Sequence, residues 1–442
     1  MTYIRGAGRT QGTLFPVTLD EMIPGDHLCR VVDAFVGRLD MSSLGFVRAE
    51  AAETGRPGYD PRDLLKLYLY GYLQQIRSSR RLELECARNI EVMWLLGRLV
   101  PDHKSIAEFR RLHREAVTKA GAELIGFAKL IGLVKGEWVA IDGSKFRAVS
   151  SSQSVHERRE LEHYLERMEQ ADSEEDLEID PAAVAEALEK LKQHPEPEAG
   201  FMRTTAGKVP AYNVQIATDA AHALIVAQQV STETCDKRSL EPMAEAAQAA
   251  ISAPGERLKV VADAGYSNGE QAEACENKGI IPHVPAVRGV NNRGDGTLFE
   301  RSAFQYDQQT DTFLCPAGQR LKRHQRKERS IVYAGQPKVC GACLLKSQCT
   351  VGKRRLLKKH LQDEVLNRMR ERTTAETMRL RRSIVEHPFA ALKYQIFGHP
   401  RILLRGLKGA QTEISLATVV YNLKRMMNIV GSATLSTKLA MP

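Results

Sequence analysis

The stretch Val139-Ala140-Ile141-Asp142-Gly143-Ser144 decides how this chain is read. Apolar residues run into an acid and then a small residue, the pattern of a buried strand that delivers a carboxylate at its end. Taken alone, Asp-Gly after a strand is also the composition of an ordinary turn. The pattern returns at Val260-Val261-Ala262-Asp263-Ala264-Gly265-Tyr266. A third acid, Glu386, lies in the basic segment from Arg379 to Lys393, which reads as a helix. At about 100° per residue, Arg379, Arg382, Glu386 and Lys393 fall within roughly 60° of one another. One carboxylate among three cations suits an acid that holds a metal ion beside a phosphate; mixed charge on a helix face is equally the mark of a solvated surface. The acids are 121 and 123 residues apart, so only a fold brings them together.

Working outward, a mixed α/β region begins near Lys135. Strands are expected at Trp138–Asp142, Tyr212–Thr218, Leu224–Val230 and Leu258–Asp263, with Asp219-Ala220-Ala221-His222 as the turn between the middle two. Helices follow at Ser239–Ile251 and Asn268–Lys278, then a short strand at Gly279–Val284. Before this region, residues 1–125 read as an all-helical domain. Asp60-Pro61-Arg62-Asp63 offers an N-cap, a proline at N1 and an acid at N3. Arg80–Ile90 and Glu91–Leu99 continue as helices. Ser105-Ile106-Ala107-Glu108 has the form of a capping box and opens a helix with Arg110, Arg111 and Arg114 on its polar side. A capped basic helix after a short turn fits a helix-turn-helix reader of DNA, and equally an ordinary amphipathic helix.

Two insertions interrupt the α/β region. The first, at 150–200, is acidic and reads as two helices separated at Asp180-Pro181; Glu157 to Glu198 holds 15 acids against 5 bases. The second, at 288–372, is basic; Arg320 to Arg372 holds 16 Lys and Arg against 4 acids. That block carries a net +12 in a chain whose total is +9, which points to a polyanionic partner more strongly than a uniform charge would. Within it Lys353, Arg354 and Arg355 stand together. The 43% hydrophobic and 26% charged shares are those of a soluble globular protein. The opening Met1-Thr2-Tyr3-Ile4-Arg5-Gly6 lacks a signal-peptide apolar stretch, and no apolar run approaches the ~18 residues of a spanning helix. Eight cysteines are too few for a disulfide scaffold, so a reducing cytoplasm is expected and a membrane is not.

Four of those cysteines cluster in sequence. Cys315, Cys340, Cys343 and Cys349 are separated by 24, 2 and 5 residues. Cys340-Gly341-Ala342-Cys343 is a knuckle that lets two thiolates meet one ion, and Cys315-Pro316-Ala317-Gly318 is half of another. Soft thiolates of this kind favour a tetrahedral structural Zn²⁺, with free loop cysteines as the other reading. Cys29, Cys86, Cys235 and Cys275 are expected as small core side chains.

The order strand acid, strand acid, helical acid, with Arg382 four residues before Glu386 and Lys393 seven after it, resembles the bacterial insertion-sequence DDE transposases. Asp142, Asp263 and Glu386 match the family's three metal-binding acids. Arg382 and Lys393 match the Arg and Lys of its Tyr-Arg-Glu-Lys signature; Arg379 departs from it, standing where tyrosine is usual. Pro101-Asp102-His103-Lys104-Ser105 to Phe109-Arg110 resembles the family's N-terminal helical domain, and similar cysteines recur in members with a comparable insertion.

The resemblance implies an RNase H-like catalytic core over 135–442, carrying both insertions, after a DNA-binding domain at 1–125. It implies two Mg²⁺ (or Mn²⁺) per active site, with Asp142 bridging both, Asp263 completing one site and Glu386 the other. It implies phosphate contacts from Arg382 and Lys393, and Arg379 on the same helix face is a further candidate DNA contact. The partners implied are double-stranded DNA, as terminal inverted repeats and target, and further copies of the chain assembled on it, at the nucleoid and with no small-molecule substrate. The chemistry implied has water free a 3′-hydroxyl at the element's end, and that hydroxyl then join target DNA. Two alternatives share some of these residues. A stand-alone metal-dependent nuclease would need the acids but neither the helical domain nor the basic insertion. A DNA-binding regulator descended from such an enzyme would be expected to have lost an acid.

Overall fold

The structure is a computed structural model that describes residues 17–50, 58–150, 186, 189, 196, 199–204, 207–252, 256–285 and 298–441. The helices expected in the acidic insertion lie almost wholly outside those residues. The chain divides into two units, one of Met1–Lys135, Gly143–Thr234 and Val385–Pro442, the other of Gly136–Asp142 and Cys235–Ile384.

The first unit opens with helices α1 (Leu28–Arg38), α2 (Met41–Leu44), α3 (Pro61–Leu73), α4 (Ser79–Arg88), α5 (Ile90–Leu95), α6 (His103–Leu112) and α7 (Arg114–Leu130). Asp60 caps α3 as the sequence suggests, its carboxylate accepting from Arg62 N at 2.8 Å. The start of α6 differs from the expectation. Asp102 is the cap: Oδ1 accepts from Lys104 N and Ser105 N, each at 3.0 Å, and Oδ2 from the Ser105 hydroxyl at 2.7 Å. With its hydroxyl held by Asp102, Ser105 is already inside the helix, and the apparent capping box is not one.

Strands β2 (Gly200–Thr204), β3 (Gly207–Asp219) and β4 (Ile225–Ser231) form an antiparallel set in the same unit. The helix Leu407–Val430 is buried over most of its length and covers β4. Asn422 Oδ1 accepts from Ile225 N at 2.9 Å while its Nδ2 donates to Ile225 O at 2.8 Å, and Gln411 Oε1 accepts from Val230 N at 2.9 Å. Side-chain amides thus satisfy backbone groups that the strand would otherwise leave unpaired. Deeper still, Arg77 and Glu413 form a buried ion pair at 2.9 Å. Glu413 also accepts from Leu403 N at 2.7 Å and from Leu404 N, so its lone pairs are spent where water is excluded.

The strand β1 (Trp138–Arg147) begins in the second unit and continues into the first. Its first residues pair in parallel with β5 (Lys259–Val261), and β5 pairs in parallel with β6 (Ile281–His283). Val139, Ala140, Ile141, Val260, Val261 and Ala262 are all buried, as near-continuous apolar runs demand of parallel strands covered on both faces. Helices Leu240–Ile251 and Gly269–Asn277 supply the crossovers.

The basic insertion holds a structure that the sequence did not announce: a second sheet of β7 (Gln305–Asp307), β8 (Thr312–Leu314), β9 (Arg320–Lys327), β10 (Ser330–Ala334) and β11 (Leu356–His360), in the order β11-β10-β9-β8-β7 and antiparallel throughout. Its core is small: Phe304, Phe313, Leu321, Tyr333 and Leu357, with Cys315 and Cys349 packed against it.

Candidate active site

The register of the parallel pair builds the site. Ala140 stands beside Val261, so two residues further on Asp142 and Asp263 occupy equivalent positions at the carboxyl ends of neighbouring strands. Adjacent strands are about 4.8 Å apart, and ligand sites in sheets with parallel strands form at this end. After β5 the chain turns through Ala264–Tyr266, with Asp263 Oδ1 accepting from Gly265 N at 2.7 Å. A Cβ on Gly265 would stand 2.8 Å from Asp263 Oδ1 and 3.9 Å from Asp236 Oδ2. A side chain at this position would displace the Asp263 carboxylate from its place over the turn.

That geometry brings in residues beyond the three expected acids. Arg381 Nη2 lies 2.8 Å from Asp142 Oδ1 and 3.5 Å from Asp263 Oδ2, so one guanidinium touches both strand-end carboxylates. Asp236 is a third acid at the same turn. The hydroxyl of Tyr266 registers all of them: burial first, then the charges of Asp236, Asp142 and Asp263, push its pKa far above the usual phenol range. Tyr266 is fully buried and so packs beneath the site rather than reaching out of it. His283 is buried too, packed against Trp138 with ring centroids 4.8 Å apart and the rings tilted by 50°, its Nδ1 3.0 Å from Arg372 O. Burial lowers its pKa, and the imidazole is part of the packing.

Glu386 lies on the helix Ala375–Ala390, past the division between the units, with its side chain exposed. Arg379 and Arg382 are exposed on the same helix, whereas Arg381, Ile384 and Val385 turn inward. The phasing that selects the outer stripe excludes Arg381, about 140° away from Glu386. A usable signal did exist, because an arginine followed at the third and fourth positions by apolar residues sits in the buried stripe and needs an acid there. Asp236, in the polar loop after β4, carried no comparable signal. Lys393 follows in the segment Ala391–Ile396, its Nζ 5.9 Å from the ring centres of both Phe146 and Phe389.

Among the cations expected to meet DNA, packing removes two. Arg110 is buried: its Nη1 donates to Arg77 O at 3.1 Å and its guanidinium lies 5.3 Å from the Tyr68 ring centre. Arg355 is buried as well, donating to Cys349 O at 2.6 Å and Phe299 O at 2.8 Å. Both guanidinium groups are buried and donate to backbone carbonyls. Arg111 and Lys353 are exposed and Arg114 is half-buried. Arg354 meets His324 at 3.0 Å, beside a β9 whose Arg320, Lys322, Arg323, Arg326 and Lys327 are all exposed.

The four clustered cysteines line one cavity with Gly335 and Arg355. Cys315-Pro316-Ala317-Gly318 closes as a turn, with Gly318 at φ +72°, Gly318 N donating to Cys315 O at 2.8 Å, and Gln319 N donating to Cys315 Sγ at 3.3 Å. Gly335 clears space for a thiol: a Cβ there would stand 2.6 Å from Cys340 Sγ. Burial raises the pKa of Cys349, with Arg355 opposing and the other three cysteines adding to it. Among the described residues, the three-donor group whose ligand atoms all lie within 4.8 Å is a different one, His27, Cys29 and Glu91. There His27 Nδ1 already accepts from Cys29 N at 3.3 Å, and burial pushes the Cys29 thiol up to about 12. Cys86 and Cys275 are buried as expected; Cys235 is exposed in the loop after β4, a correction to its reading as core.

The family model described as Transposase DDE domain matches residues 139–423, and that described as Transposase domain (DUF772) matches residues 17–112. No protein of curated function matches the chain. Among solved structures, the chain is similar to a piggyBac transposase synaptic complex with hairpin DNA, at 8% identity and a TM-score of 0.33, over 94% of this chain and 79% of that one. A likeness that faint carries no weight for the fold or its partners.

Proposed function

This chain belongs to the DDE transposases of insertion sequences, and we propose that it binds the terminal inverted repeats of its element and cuts and joins DNA there by metal-dependent in-line phosphoryl transfer. Asp142, Asp263 and Glu386 are the proposed metal ligands. The observation that carries this reading is the meeting of Asp142 and Asp263 on one guanidinium: two acids 121 residues apart in the chain share a cationic place at the strand ends. The donor set suits Mg²⁺ or Mn²⁺, which prefer carboxylate oxygen, and the Arg381 guanidinium already stands as a cation between Asp142 and Asp263. Two such ions, when bound, would activate the attacking oxygen and stabilise the leaving one.

The protein's own residues do the rest. Gly265 lets Asp263 fold over its turn, and buried Tyr266 supports that turn from below. Arg382, Arg379 and Lys393 are proposed to hold phosphates of the element's end by charge-assisted bonds. Arg111 and Arg114 of the helical region are the proposed end readers, and Lys353 with the cations of β9 the proposed non-specific grip. No helix among the described residues is long and apolar enough to cross a membrane; the proposed place of action is the nucleoid, with several copies of the chain on one DNA.

The test is strand cleavage on a labelled duplex carrying the element's own end, with Mg²⁺, beside a binding assay in Ca²⁺. Asp142→Asn, Asp263→Asn and Glu386→Gln should each abolish cleavage while binding survives. An active Glu386→Gln beside an inactive Asp236→Asn would move the third ligand to Asp236, which the Gly265 turn already brings near. The readings as a nuclease alone or a regulator would instead be favoured by a gene without flanking inverted repeats.

For the cysteines we propose one structural Zn²⁺ held by Cys315, Cys340, Cys343 and Cys349. The Cys315 turn with its N–H···S bond, the space left by Gly335 and the shared cavity support it. A five-residue core is also thin for a five-stranded sheet, and small modules of this kind are commonly stapled by a metal. Elemental analysis should find one zinc per wild-type chain and a loss in Cys340→Ser; equal, near-zero zinc in both would end the proposal.

A further inference from the structure

We propose that Arg381 is a gate on the metal site: it occupies the carboxylate oxygens that a divalent ion needs, and yields them when a DNA phosphate takes the guanidinium instead. This rests on the metal-binding reading above and adds a coupling between DNA engagement and metal uptake that the reading does not contain.

The competition is for the same atoms. Asp142 Oδ1 accepts from Arg381 Nη2 at 2.8 Å, and Asp263 Oδ2 stands 3.5 Å from the same nitrogen. An ion ligated by both acids needs lone pairs on that side of each carboxylate. The arginine is held rather than swinging in solvent, since its side chain is only 15% exposed. It is nonetheless incompletely satisfied, because Nε is buried without a hydrogen-bond partner. A guanidinium offers five donors in a fixed fork, and a phosphate can accept from two of them at once. The resting contact is therefore one that a phosphate can better. Two more cations on the helix, Arg379 and Arg382, are exposed and give a polyanion a path to it.

Charge explains why the gate has to be a cation. Asp142 and Asp263 both lie within 3.5 Å of that one guanidinium nitrogen. Withdrawing Arg381 without replacement would leave carboxylates facing one another, a repulsion that either a divalent ion or a proton must answer. Exchange of the guanidinium for metal keeps the site neutralised throughout. By reciprocity, whatever factor DNA adds to metal affinity, metal adds to DNA affinity.

Mn²⁺ binding to the full chain, read by the electron paramagnetic resonance of free Mn²⁺, tests this without any turnover. Asp142→Asn serves as the blank that removes ions bound elsewhere, including those on DNA. In wild type, a duplex carrying the element's end should tighten the Asp142-dependent Mn²⁺ site at least tenfold. Arg381→Gln should bind Mn²⁺ at least tenfold tighter than wild type without DNA, and should lose most of the further gain from DNA. Arg381→Lys, which keeps the charge, should remain close to wild type without DNA. An Arg381→Gln protein that melts like wild type yet binds Mn²⁺ no tighter would overturn the gate. So would a wild type whose Mn²⁺ affinity is indifferent to the duplex, a result that needs no variant to fold. In both cases an Asp142-dependent site would survive and the metal-binding reading with it. Absence of any Asp142-dependent Mn²⁺ site would remove both.

Discussion

The two sheets of the second unit divide labour in opposite ways. In β1, β5 and β6 the strand interiors are apolar and the chemistry is confined to the ends, at Asp142 and Asp263. In β7 to β11 the charge runs along the strands themselves: β9 buries Leu321 alone, and its remaining residues are exposed. The first sheet can hold two acids in fixed register because its packing lies in the apolar strand interiors and not at the ends. The second spreads a cationic surface over a core of five residues and leaves stability to aromatics and cysteines. Removing function from the first should leave a folded protein, whereas small changes in the second should cost structure before they cost charge.

The largest expected effect is on chemistry. Asp142→Asn preserves the shape of the strand end and removes a charged ligand, so cleavage should fall by on the order of 10⁴, at about 1.4 kcal/mol per tenfold. Melting should hardly change. A variant that lost both cleavage and several degrees of melting temperature would show that the acid also holds the sheet together, and the contrast would fail.

In the inserted sheet the same kind of experiment should invert. Phe313 is buried between Tyr306 and Tyr333, with ring centroids 5.0 Å from each. Phe313→Ala should cost about 3–5 kcal/mol of the module's stability, as aromatic truncations in cores do. Hydrogen exchange would check this: amides of Tyr333 and Lys322 should lose protection while those of Val139 and Val260 keep theirs. Equal loss at both places would mean that the two sheets unfold as one.

That asymmetry also explains what could be read from the sequence. Val139-Ala140-Ile141 and Val260-Val261-Ala262 announce strands because burial on both faces leaves little but apolar residues. The equal offset of Asp142 and Asp263 from their runs is the parallel register written in the chain. Arg320-Leu321-Lys322-Arg323-His324-Gln325-Arg326-Lys327 has no apolar alternation, since only one side chain of that strand faces a core. It reads as a charged loop, and the strand is made by its neighbours. Arg381 lies outside the stripe of charges for a different reason. The stripe through Glu386 catches the exposed charges, and a buried charge is visible only through the partner it needs. Arg110 and Arg355 follow the same rule, as buried cations that donate to backbone carbonyls.

A smaller effect separates the two kinds of basic residue. Arg111 and Lys353 are both exposed, one beside the packed Arg110 and the other in the inserted module. Lys353→Gln should weaken binding to all duplexes alike and lower the salt slope by up to ~0.9, the value for one phosphate contact. Arg111→Gln should instead lower preference for the element's end over random duplex by about 1–3 kcal/mol if it reads a base edge. Filter binding across a salt series would decide, and identical behaviour of the two variants would remove the proposed division between reading and gripping.

The smallest effect lies in the turn between β7 and β8, where the inserted sheet relies on polar contacts at the surface. Asp307 accepts from the Thr310 hydroxyl at 2.6 Å and from Arg320 Nη1 at 2.9 Å, and backbone N–H groups of Gln309 and Thr310 also point at it. These bonds favour the carboxylate, Thr310 most and Arg320 next, and bring its pKa down to about 2. A depressed acid stabilises the fold above its unfolded value of roughly 3.9, and that contribution fades as pH falls through the folded value. The turn should therefore hold through the mildly acidic range and loosen only near pH 2, with little effect on overall stability because the group is at the surface. Carboxyl carbon shifts of Asp307 across pH 1.5 to 5 would follow it. Thr310→Val should move the midpoint up further than Arg320→Gln does, since the hydroxyl bond is the stronger of the two influences. If Arg320→Gln moved it more, charge rather than local turn bonding would govern this edge, and the inserted sheet would be held by the same cations it is proposed to offer to DNA.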